Sequence, residues 1–96
     1  MLFALICTDK PGSLDVRLKA RADHLAFLES LGGGLKAAGP FTDDGGSPIG
    51  SLVVIEAADR KAAEAVAAKD PYTKAQLFAA VEIRPWKWLI NNPETN

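Results

Sequence analysis

A chain of 96 residues with a net charge of -1, 48% hydrophobic and 24% charged residues, has the profile of one small globular domain over 1–96. The absence of a basic excess argues against a nucleic-acid binder held by phosphate neutralisation, and no apolar run reaches the ~20 residues that span a bilayer. The lone Cys7 has no internal disulfide partner, which fits a reducing, cytoplasmic setting.

The run Leu2 to Cys7 is continuously apolar, as in a strand buried on both faces. It is too short for the charged and apolar regions of a signal peptide. Asp9-Lys10-Pro11-Gly12 reads as a turn, and Ser13 as the cap of a helix that runs to about Leu31. Leu14, Leu18, Leu25 and Leu28 recur at helical spacing and predict the buried stripe of that helix. Gly32-Gly33-Gly34 ends it. Leu35 to Phe41 and Ser51 to Glu56 predict two strands, joined by the turn-rich stretch from Thr42 to Pro48 into a hairpin. Asp59 is placed to cap a second helix, Arg60 to Lys69, which Asp70-Pro71 ends. One further turn is predicted from Thr73 to Phe78, and the last strand from Val81 to about Ile90. The polar tail, 91–96, is expected to be loose.

Strand-helix-strand-strand-helix-strand is the split βαβ, or ferredoxin-like, order of an α+β domain. Two helices cover one face of a four-stranded antiparallel sheet. The other face then calls for a partner, and a homodimer joined through it is the simplest answer.

His24, the one histidine, lies on the first helix beside Arg17 and Arg21, at i, i+3 and i, i+7 spacing. Histidine exchanges protons near neutrality. Two cations beside it suit an anionic small molecule, although each arginine is equally suited to solvent or to a carboxylate partner. A histidine with no task is the bland alternative, and Asp70-Pro71 is on its face a helix stop. No second histidine or cysteine cluster accompanies His24, so no metal site is expected. The third strand has no aromatic residue to stack on bases, which counts against an RNA-recognition domain. Trp86 and Trp88, with Arg84 and Lys87, are read as packing in a cleft or interface rather than as a membrane anchor. The stretch from Asp9 to Leu14 also has the look of the amino-acid-binding turn of ACT domains, which keeps a non-catalytic sensor as an alternative. An accessory subunit is a second alternative.

From Leu2 to about Ile90 the chain resembles the YCII-related (YciI-like) family. The resemblance rests on Arg17, Arg21 and His24-Leu25-Ala26-Phe27-Leu28; on Ala38-Gly39-Pro40-Phe41 with Asp43-Asp44-Gly45; on Gly50-Ser51; on Asp70-Pro71-Tyr72; and on Arg84-Pro85-Trp86. It implies a dimeric α/β barrel, two ferredoxin-like sheets packed face to face. It implies an active site of a histidine and an aspartate, which fall on His24 and Asp70. Arg17, Arg21, Ser51 and Tyr72 are then the expected substrate-binding positions. Muconolactone-isomerase-like enzymes have related barrels, and some members of the family are associated with dehydrochlorination of ring compounds. The implied chemistry is cofactor-independent proton transfer, as isomerisation or elimination, on a small ring acid or phenol.

Overall fold

The computed structural model describes residues 1–94. Strand β1 (Leu2–Asp9) leads to helix α1 (Leu14–Ser30), a short 3-10 turn (Gly32–Gly34), and strands β2 (Leu35–Thr42) and β3 (Pro48–Glu56). Helix α2 (Arg60–Lys69), the one-turn helix α3 (Pro71–Lys74) and strand β4 (Phe78–Trp86) follow. The sheet order is β2-β3-β1-β4, and every neighbouring pair is antiparallel. Strands β1 and β2 therefore run parallel with β3 between them, which is the expected ferredoxin-like α+β fold.

Directly opposed residues of a sheet share a face, so the register defines two faces. Phe3, Leu5 and Cys7 of β1 and Val53 and Ile55 of β3 point to the helices and form the core with Leu28 of α1 and Ala63 of α2. Full burial of side chains of this size contributes about 1.5–3 kcal/mol each. The opposite face carries Leu2, Ala4 and Ile6 beside Leu52, Val54 and Trp86. That is why β1 reads as unbroken apolar sequence. Among the described residues no helix covers this second face.

Helix α2 begins and ends where its sequence directs. The Asp59 side chain accepts from the Ala62 backbone N–H at 2.8 Å, and Pro71 holds Asp70 in extended geometry, φ -61 and ψ 129. Helix α1 ends because Gly32 takes up φ 56, a left-handed conformation open to glycine. The tip of the β2–β3 hairpin is closed by Asp43, whose Oδ1 accepts from the backbone N–H groups of Gly45 and Ser47. Gly50 permits β3 to lie close to β1, because any Cβ there would run into the Cys7 carbonyl oxygen.

Several expectations are corrected. Of the leucine stripe of α1, Leu28 is buried as expected, but Leu14, Leu18 and Leu25 are 42%, 59% and 45% exposed, and the helix buries Arg17 and His24 in their stead. Ser13 makes no side-chain cap bond. Asp9 is the last residue of β1 rather than part of the turn, and β3 starts earlier, at Pro48. The chain after Pro71 forms α3 and enters β4 at Phe78, and β4 ends at Trp86, so Trp88 lies beyond the strand. Beyond β4, Trp88 Nε1 donates to the Ile90 carbonyl, and Lys36 Nζ meets Glu94 Oε1 at 2.7 Å at the surface. Lys36 is on the edge strand opposite β4, so this segment crosses from one edge of the sheet to the other. Thr95 and Asn96 lie outside the described residues.

Candidate active site

The break between α2 and α3 positions a carboxylate. Asp70 caps α3, with Pro71 as its first helical residue, where a missing N–H costs nothing. Its Oδ1 accepts from the Tyr72 backbone N–H at 2.9 Å and lies 2.8 Å from His24 Nδ1. Both side chains are buried, 8% exposed for His24 and 10% for Asp70. A carboxylate accepts, so Nδ1 carries the hydrogen and Nε2 is left with its lone pair. No buried side-chain nitrogen or oxygen among the described residues lacks a partner. Nε2 has no hydrogen bond among the described residues, so it is not sealed off, and His24 lines the adjoining cavity.

That cavity, about 210 Å³, lies between α1 and the β2–β3 half of the sheet. Its mouth is formed by Leu18 and Leu25 of α1 against Gly39 and Pro40 of β2. The misread leucines thus gain a place: they rim an opening instead of filling the core. Arg21 lines the cavity and is exposed, with no ion-pair partner among the described residues.

Arg17 is held far more tightly. Its Nε donates to Asp9 Oδ2 at 2.7 Å, and its Nη2 donates to Asp9 Oδ1 and to Ser51 Oγ, both at 2.9 Å. Arg17 and Ser51 are 5% and 3% exposed. A buried guanidinium is tolerable because the Asp9 carboxylate faces it in two-pronged fashion. Burial works against the Arg17 charge, but the Asp9 hydrogen bonds and charge outweigh it and raise its pKa above the usual value. With Nε and Nη2 spent, Nη1 is the nitrogen left for a ligand, beside the Ser51 hydroxyl hydrogen. Both residues line the same cavity as His24.

Tyr72 closes the floor. Its ring stacks on the His24 imidazole, with centroids 3.8 Å apart and planes 13° from parallel. Burial raises its phenol pKa, opposed by the Arg17 and Arg21 cations. Cys7 sits beneath, and burial, reinforced by the Asp70 and Asp9 carboxylates, pushes its thiol up to about 12. That makes it a packing residue and not a nucleophile.

The structure thus gathers His24, Arg17, Arg21, Ser51 and Tyr72 around one cavity, from α1, β3 and α3, with Asp70 behind His24 at the start of α3. Sequence reasoning missed Asp9, the residue that orients Arg17. Its signal was an acidic residue at a strand end, one short turn before the arginine-bearing helix. The Pro11-Gly12 turn lines a smaller cavity of about 160 Å³, to which His24 does not contribute. Among the described residues no group of three His, Cys, Asp or Glu side chains is placed to hold a metal ion. No helix among them is long and apolar enough to cross a membrane.

Known proteins share this arrangement at the level of sequence and fold. The chain is 38% identical over 95 residues to protein YciI of Escherichia coli, covering 91% of this chain and 97% of that protein. It is 35% identical over 95 residues to an uncharacterised protein of Haemophilus influenzae, with the same coverage of both. The 5-chloro-2-hydroxyhydroquinone dehydrochlorinase of Burkholderia phenoliruptrix, solved with 2,5-dihydroxybenzoquinone, is 37% identical and superposes with a TM-score of 0.86, over 96% of this chain and 99% of that one. The profile of the YCII-related domain matches residues 1–87, and the chain belongs to that family.

Proposed function

We propose that this protein is a small enzyme that moves a proton on a small ring compound bearing an acidic hydroxyl or carboxylate. The observation that carries the reading is the pairing of His24 Nδ1 with Asp70 at 2.8 Å while Nε2 opens onto the cavity that also holds Arg17 and Ser51. Nε2 takes a proton from a ring hydroxyl or an acidic carbon. The electron pair moves into the ring, and the oxyanion that develops lies against Arg17 Nη1 and the Ser51 hydroxyl. Asp70 faces the resulting imidazolium. The imidazolium then returns its proton to a ring carbon, which is isomerisation, or the electron pair of such an acidic ring carbon expels chloride from its neighbour and the imidazolium releases its proton to solvent, which is elimination of HCl. Arg21, at the mouth, suits an anionic substituent pointing outwards. The step itself calls for a base and an oxyanion site, and for no cofactor. The dehydrochlorinase with its bound quinone supports a hydroxylated ring as the substrate class.

The working form is a homodimer joined through the uncovered sheet face. Its support is the half-buried apolar row Leu2, Ala4, Ile6 and Leu52, which no helix covers among the described residues.

The test is turnover of a panel of hydroquinones, phenols and small ring acids that includes 5-chloro-2-hydroxyhydroquinone, followed by absorbance and chloride release. Wild-type turnover that falls at least about 10²-fold in His24→Ala supports the base role. Absence of both turnover and thermal stabilisation across the panel, or equal rates in His24→Ala, refutes it.

A further inference from the structure

Tyr72 is 2% exposed, its hydroxyl is turned towards Arg17, and its ring and backbone make the contacts that bear on His24. The His24 imidazole lies flat against the ring at 3.8 Å. The Arg17 Cζ is 4.7 Å from the ring centroid. Phe78 packs edge-on, with centroids 6.0 Å apart and planes at 85°. The Tyr72 N–H and His24 Nδ1 share one acceptor, Asp70 Oδ1. A single residue therefore touches the base, its carboxylate and the anion-binding arginine.

The hydrogen bond to Asp70 holds the imidazole by one nitrogen, and a turn about the terminal torsion of the histidine breaks it. The terminal torsion of histidine is broad and roughly two-fold, and rotation about it exchanges nitrogen for carbon at the cavity wall. A parallel ring at 3.8 Å removes that freedom, because the imidazole cannot turn out of plane without striking it. The same π-face is electron-rich and attracts the cation formed once Nε2 is protonated.

We infer that Tyr72 is a positioning residue for His24 that acts through its ring: it holds the imidazole in the one plane that aims Nε2 into the cavity, and it supports the imidazolium. Only the activity arm of the test rests on the proton-transfer reading above.

The chain has one histidine, so ¹⁵N spectra of its imidazole need no assignment. Tyr72→Phe keeps the ring, and Tyr72→Met fills the volume without one. The wild type and Tyr72→Phe show a single Nδ1–H tautomer, and Tyr72→Met shows a mixture. Turnover of 5-chloro-2-hydroxyhydroquinone falls about tenfold or more in kcat for Tyr72→Met, part of what a positioned base supplies, with KM within about twofold. Tyr72→Phe is read by its tautomer alone, because its hydroxyl stands beside Arg17 in the cavity. Phe78→Leu, which frees the edge of the tyrosine ring without touching His24, moves both readouts in the same direction by less and serves where Tyr72→Met does not fold. One unmixed tautomer and unchanged kcat in Tyr72→Met or Phe78→Leu overturn the inference, as does a mixture of tautomers in Tyr72→Phe. If the wild type leaves the probe unchanged, the proton-transfer reading fails, and the tautomer spectra alone decide the role of Tyr72.

Discussion

Asp70 does two jobs with one oxygen, and two substitutions separate them. Asp70→Ala deletes the α3 cap, which costs about 1 kcal/mol at a helix N-terminus. It also leaves His24 Nδ1–H buried without its acceptor, which costs about 1–3 kcal/mol. The loss is thus about 2–4 kcal/mol, and in a domain of this length each kcal/mol lowers Tm by about 4–8 °C. Asp70→Asn keeps an acceptor oxygen where Oδ1 stood, so both hydrogen bonds survive and the loss stays at about 1 kcal/mol or less. What it removes is the negative charge facing the imidazolium. Thermal unfolding followed by circular dichroism therefore separates the pair: Asp70→Ala drops by roughly 8–32 °C and Asp70→Asn by less than about 8 °C. Turnover falls in both, by about 10²-fold or more if the dyad carries the general-base step. A Tm for Asp70→Ala within about 3 °C of wild type would show that the buried pair contributes little to the fold, against this reasoning. Equal losses in the two variants would show that the charge, and not the acceptor geometry, stabilises the site.

Three further outcomes are expected. Arg17→Met strands the buried Asp9 carboxylate and destabilises by about 3–5 kcal/mol, whereas Arg17→Lys loses less; urea unfolding of the two variants checks the order. Both Cys7 and Tyr72 have pKa values raised in the folded state by burial. The unfolded thiol ionises from about 9.0 while the folded one waits until about 12, so the stability is present below pH 9, is lost as pH rises across that window, and is lost less steeply in Cys7→Ala when chemical unfolding is repeated at each pH. An acidic residue at the centre of the uncovered sheet face, Ala4→Asp, converts the proposed dimer to monomer in sedimentation equilibrium, with the monomer retaining its far-ultraviolet spectrum.

By itself the sequence determined the order of elements, the limits of α2 from Arg60 to Lys69, and the break at Asp70-Pro71. These are local matters, decided by apolar alternation, a capping aspartate and a proline that its neighbour must accommodate. The family motifs also named the residues that line the cavity. What helical spacing could not show is which face of α1 turns inwards. Periodicity assumes that apolar residues seek the core, and on that assumption Leu14, Leu18 and Leu25 face inwards while Arg17 and His24 stay at the margin. The tertiary structure reverses the order, because Asp9 and Asp70, 8 and 46 residues away from their partners, supply the charge and the hydrogen bonds that make Arg17 and His24 buriable. Burial of a polar side chain depends on a partner held by another element, and the distance to that partner is set by the fold and not by the spacing of residues along one helix.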